Sequence, residues 1–167
     1  MSKPKVHDPR GSHSRFYHSM HDSPAWNCLS ATDQRAYMVL LRQLMSFNNG
    51  DLSLPITYAK HYGITSETTL AKNLRALQAV GLIAVTVKGA HKRDGSCMPN
   101  LYRLTDHPTL AQPKKCIEAG PATNDWRSIK TKAEGLARIA KVEAANKEKW
   151  RAILADRQKR RAEGAKP

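Results

Sequence analysis

The run from Pro55 to Ile83, PITYAKHYGITSETTLAKNLRALQAVGLI, limits what this chain can fold into more than any other segment. Its first part has Tyr58, Ala59 and Tyr62 as an apolar face and stops at Gly63, and Ile64-Thr65 makes a brief turn. A longer part then repeats Leu70, Leu74 and Leu77 at helical spacing until Gly81 stops it. Leu82 to Lys88, LIAVTVK, is rich in β-branched residues and reads as a strand. A short helix, a turn, a helix with a single apolar stripe and a strand follow one another. The second helix therefore buries one side and presents the other.

The flanks extend the same pattern. Ser30 stands as an N-cap with Asp33 three residues on, and Ala36, Tyr37, Leu40, Leu41 and Leu44 recur at helical spacing. Asn48-Asn49-Gly50 reads as a turn, and Asp51 to Leu54 alternates as a minor edge strand that Pro55 ends, with Thr57 capping the next helix. After the strand at Leu82 to Lys88, the segment GAHKRDGSCMP (89–99) reads as a basic loop and Asn100 to Thr105 as a returning strand. The predicted fold class is mainly α with a small β-hairpin. It is a winged helix-turn-helix, a three-helix core plus wing, followed by a linker and a basic C-terminal helix. Such an arrangement sets one helix in the major groove of DNA and the hairpin on the flanking backbone.

Beyond that unit the composition changes. Residues 1–22 read as a flexible polar arm holding His7, His13, His18 and His21, whose spacing fits no helical face and no metal site. Residues 23–106 form the predicted domain, and 107–129, with Pro108, Pro113, Gly120 and Pro121, read as a linker with little regular structure. Residues 130–167 form a basic tail. Its helix is expected to start near Thr123 or Asn124 and reach about Glu163, with Gly135 as a weak point. Leu136 and Ile139 stand far from Trp150, Ile153 and Leu154, too sparse for a heptad seam, so this helix is expected to dock only locally.

The 167 residues carry 28 Lys/Arg against 14 Asp/Glu, a net charge of +14. That balance favours polyanions, because cations release the counterions condensed on nucleic acid. Residues 130–167 hold twelve Lys/Arg against five Asp/Glu, and residues 23–106 nine against five, so the tail supplies much of the field. Cys28, Cys97 and Cys116 fit neither a disulfide framework nor a zinc cage, which points to a reducing cytoplasm. Neither a secretory signal nor a membrane span is expected. No motif of nucleophilic, metal-dependent or nucleotide-cradling catalysis occurs, so the reading is a cofactor-free binding protein rather than an enzyme.

With Leu70, Leu74 and Leu77 inward, Ser66, Glu67, Thr68, Lys72 and Arg75 are expected to point outward. Lys72 and Arg75 suit base edges or phosphates, Thr65, Ser66 and Thr68 suit phosphates at the helix start, and Asn73 borders the exposed face in a position to read adenine. The wing offers Lys88, His91, Lys92 and Arg93 for backbone or minor-groove contact. Trp26, Tyr58, Tyr62 and Tyr102 are read as core.

SPAWNCLS (23–30), NNG (48–50), AKHYGIT (59–65), LAKNLRALQAVGLI (70–83) and YRLT (102–105) together resemble a family of small bacterial winged helix-turn-helix proteins of phages, plasmids and integrative elements. The match covers about half the chain, residues 23–106, and departs from the family where Gly63 to Leu74 is about one residue longer than usual. The resemblance implies binding of double-stranded DNA, as a transcriptional regulator of a mobile element or within its replication machinery. An origin-binding initiator is the first rival, although such proteins often carry two related domains and here one is visible. The second rival is a non-specific nucleic-acid scaffold in which the tail contacts RNA, DNA or a protein partner. Palindromic target sites are expected if the chain is a homodimer, for which no dimer helix stands out.

Overall fold

The computed structural model describes residues 9–90, 95 and 97–164, with side chains described as far as Arg161. Two short helices, α1 (His18–His21) and α2 (Pro24–Asn27), lead into α3 (Ala31–Gln43), α4 (Ile56–Lys60) and α5 (Glu67–Ala79). An antiparallel pair follows, β1 (Ile83–Val87) and β2 (Leu101–Leu104), and the long helix α6 (Lys132–Gly164) comes last. The architecture is mainly helical with a two-stranded antiparallel sheet.

Local chemistry sets most of these boundaries. Ser30 and Asp33 form a reciprocal capping box: the Ser30 hydroxyl accepts the Asp33 N–H, and the Asp33 carboxylate accepts the Ser30 N–H at 2.9 Å. Pro55, rather than Thr57, occupies the N-cap position of α4, and no side chain caps that helix. The expected edge strand shrinks to one bridge, in which Leu52 exchanges both backbone hydrogen bonds with Tyr102. In the hairpin, Ile83 pairs with Leu104 and Val85 with Tyr102, and the register shifts between Val85 and Val87.

The core gathers Tyr37 and Leu40 from α3, Leu70, Leu74 and Leu77 from α5, and Ile83 and Leu104 from the hairpin. Trp26 and Tyr102 are buried as expected. Tyr58 and Tyr62 are only half-buried. Tyr58 sits on α4 and Tyr62 in the turn after it, and their rings pack edge-on at 5.2 Å with hydroxyls 3.2 Å apart.

Three expectations about the flanks need correction. The described end of the N-terminal arm is not free. Met20 is buried, and the Phe16 ring lies 4.7 Å from Trp26, which in turn stands edge-on to Tyr37 at 5.4 Å. Residues 107–129 fold back on the domain instead of linking loosely. Backbone bridges join Thr109 to Gly120 and Gln112 to Ile117, Lys115 pairs with Asp51, and Ile117, Trp126 and Ile129 are buried. Prolines and glycines there shape turns, including 3-10 turns at Pro113–Lys115 and Asp125–Ser128, around apolar anchors. Finally, α6 starts at Lys132 and not near Thr123, with the Thr131 hydroxyl accepting the Glu134 N–H at 3.1 Å.

Two glycines are fixed by this folding back. Gly81 ends α5 at φ +76°, and a Cβ there would lie 2.8 Å from the Asp125 carbonyl carbon and 2.9 Å from the Trp126 nitrogen. Gly135 does not interrupt α6. It lets the helix approach α2, since a Cβ would meet the Cys28 Sγ at 2.5 Å. Left-handed strain and backbone overlap act together in Gly81→Ala, so the expected loss is about 2–4 kcal/mol. Thermal unfolding followed by circular dichroism checks it, and a melting temperature within a degree or two of the parent would refute the packing argument.

Candidate nucleic-acid interface

Leu70, Leu74 and Leu77 anchor α5 and decide what its other side shows. The Ser66 hydroxyl accepts the Thr69 N–H at 3.4 Å and so caps the helix start. Thr65, Ser66, Glu67, Thr68 and Lys72 are all exposed, as the spacing predicts. These residues occupy the turn before α5 and its first half. They combine hydroxyl groups, one carboxylate and one ammonium.

Asn73 is elsewhere. It is 2% exposed, its amide donates to the Thr32 carbonyl at 3.2 Å, and its own carbonyl accepts the Thr32 hydroxyl at 3.4 Å. The expected place at the border of the exposed face is therefore corrected: Asn73 shares the apolar stripe of Leu70, Leu74 and Leu77 and ties α5 to the start of α3.

Arg75 is also engaged. Its Nε and Nη2 donate to the two carboxylate oxygens of Glu143 at 2.8 and 3.0 Å, a bidentate pair between α5 and α6. Both side chains are about three-quarters covered. Hydrogen bonds from Arg75 hold the Glu143 carboxyl below its usual value against the cost of desolvation, and the charges of Arg75 and Lys72 add to the effect. Sequence spacing keeps Arg75 off the leucine stripe, but the expected outward, free position is corrected, because a partner 68 residues away covers it.

That partner belongs to a helix that does more than dock locally. α6 has 33 residues, about 50 Å at 1.5 Å per residue. Its first turns pack on α2 and bring Ile139 against the core. It then runs beside α5 in the opposite direction, with Glu143 at Arg75 and, further on, Lys147, Trp150 and Arg151 sharing a groove with Thr68. Sequence reasoning named none of Glu143, Lys147 and Arg151 as contributors to this surface. The available signal was Gly135 followed by Ile139 and Glu143, a small, apolar and acidic series at helical spacing on an otherwise basic segment.

At the hairpin, Lys88 is exposed just past β1. His91, Lys92 and Arg93 lie outside the described residues. Across the loop, the Gly89 N–H donates to the Asn100 side-chain oxygen at 2.7 Å and the Met98 N–H to the Ala90 carbonyl at 2.8 Å. Among the described residues no group of three His, Cys, Asp or Glu side chains is placed to hold a metal ion, and no helix is long and apolar enough to cross a membrane. Comparison with family models, with curated proteins and with solved structures found no match to this chain.

Proposed function

We propose that this chain is a winged helix-turn-helix protein that binds double-stranded DNA sequence-specifically, as a transcriptional regulator of a phage or other mobile element. The observation that carries the reading is the exposed turn before α5 and its first half, where Thr65, Ser66, Thr68 and Lys72 stand opposite a leucine stripe locked in the core. A helix so anchored projects its N-terminal residues as a rigid edge, which is how base edges in a major groove are reached. The order α3, the Leu52 bridge, α4, α5, β1 and β2 supports a winged arrangement, and Lys88 sits where a wing begins. The exposed cations of α6 lie next to the same edge and suit the phosphate backbone.

The test is competition binding by the full chain. A labelled duplex from upstream of its own gene is challenged with scrambled duplex at about 150 mM salt, where non-specific affinity is weak. The upstream duplex should be preferred by about a thousandfold or more, the usual margin of a specific site. Equal competition by scrambled DNA would replace this reading with non-specific binding through α6.

A further inference from the structure

Three tryptophans occur, and they are treated differently. Trp26 and Trp126 are 5% and 6% exposed, whereas Trp150 is 52% exposed, with Leu154, also 52% exposed, one turn further along α6. An indole this accessible on a charged helix is unusual, because tryptophan is on average a highly buried residue. Trp150 and Leu154 line a groove of about 600 Å³ between α5 and α6, to which Thr68 and Asn146 add polar groups and Lys147 and Arg151 add cations. That volume falls within the range of roughly 300–1,000 Å³ that holds small-molecule-sized ligands.

The spacing orders these groups. Trp150 and Leu154 are four residues apart and make one ridge. Lys147 and Arg151 are four apart and make the next. Neither cation has an ion-pair partner among the described residues, and the nearby Glu143 is already claimed by Arg75. An apolar ring face beside uncompensated positive charges suits a planar apolar group that carries anions on both sides.

We propose that this groove binds unpaired nucleotides of a single strand. One base stacks on the Trp150 indole, its edge meets Thr68 or Asn146, and the neighbouring phosphates rest against Lys147 and Arg151. Bases within a duplex are stacked on each other and do not offer this face, so the Trp150 stacking position is distinct from the α5 edge, although Thr68 and the α6 cations border both. An acidic amphipathic peptide would also match the charge. The net charge of +14 and the position beside α5 favour nucleic acid.

The experiment titrates the full chain with a short oligothymidylate, which does not pair with itself, and follows tryptophan emission. Because Trp26 and Trp126 are buried, quenching would report on Trp150. Trp150→Ala should weaken oligothymidylate binding about 5- to 100-fold, as one lost base stack does, while Trp150→Phe keeps most of the affinity. Joint Lys147→Ala and Arg151→Ala should flatten the logarithmic salt slope by about 1.4, two single-strand phosphate contacts. Circular dichroism checks that each variant stays folded. Absent quenching, a Trp150→Ala variant that binds like the parent, or displacement only by acidic peptide would overturn the proposal. Upstream duplex run in parallel separates the two sites. Duplex bound with oligothymidylate ignored defeats the groove alone, and oligothymidylate bound with duplex ignored upholds the groove while defeating the α5 reading.

Discussion

Asn49→Ala is expected to lower stability by about 3–5 kcal/mol. Asn49 is 4% exposed and follows the turn at the end of α3. Its side-chain oxygen accepts the Leu104 N–H at 2.8 Å. Its amide group is shared among the carbonyls of Leu104, His107 and Pro108 at 3.0, 2.9 and 3.2 Å. One side chain thus holds β2 and the chain leaving it against the loop before α4. Alanine cannot replace any of these bonds: it leaves the Leu104 N–H and carbonyl buried without partners, each costing about 1–3 kcal/mol where water cannot reach, and takes a donor from the part-buried carbonyls of His107 and Pro108. A domain of this size loses about 2–4 °C of melting temperature per kcal/mol, so a drop of about 10–15 °C is expected. Urea unfolding with an unchanged slope would attribute the loss to the native state. A shift of only a degree or two would mean that water satisfies these groups and that Asn49 is dispensable.

Asn49 also marks how far the sequence was legible. As part of Asn48-Asn49-Gly50 it reads as a turn residue, and it is one, since the Asp51 N–H donates to the Asn48 carbonyl at 2.9 Å. Its role as a hub is invisible, because all its partners lie 55 to 59 residues away. The same division runs through the chain. The Ser30–Asp33 box, the Ser66 cap, the leucine stripe of α5 and the Gly81 stop are set by groups within a turn or two, and pattern alone locates them. Burial of Phe16, Ile117 and Trp126 depends on surfaces formed by distant segments. Proline and glycine composition predicts bends in 107–129 but not where the bent chain comes to rest.

The candidate site divides in the same way. Exposure of Thr68 and Lys72 follows from the position of the leucines. Asn73 was legible on the same spacing, since it falls three residues from Leu70 and four from Leu77. A polar residue on a buried stripe calls for a buried partner, and Thr32 supplies it. Arg75 was not legible, because its fate depends on a helix that composition describes only as basic. Nor was the groove, which neither α5 nor α6 forms by itself.

Lys72 and Arg75 are one turn apart on α5, and their alanine variants are expected to behave differently. Lys72→Ala removes an exposed ammonium and should leave stability within about 0.5 kcal/mol of the parent. Duplex affinity should fall about 5- to 100-fold if the ammonium reaches a base edge, with relaxed preference at that base pair. If it rests on phosphate instead, all sequences weaken alike and the salt slope drops by about one. Arg75→Ala leaves the three-quarters covered Glu143 carboxylate without its guanidinium, so it should cost about 1 kcal/mol of stability, much of it recovered by adding Glu143→Gln. The sign of the Glu143→Ala effect on duplex binding then fixes what Arg75 does. If Arg75 serves to fasten α6, losing either partner loosens the same helix, and both variants weaken binding slightly. If Arg75 reaches DNA, Glu143→Ala frees a guanidinium and removes a repelling carboxylate, and binding tightens. Fluorescence anisotropy on the parent, Arg75→Ala and Glu143→Ala distinguishes the two, and the bidentate geometry predicts the first.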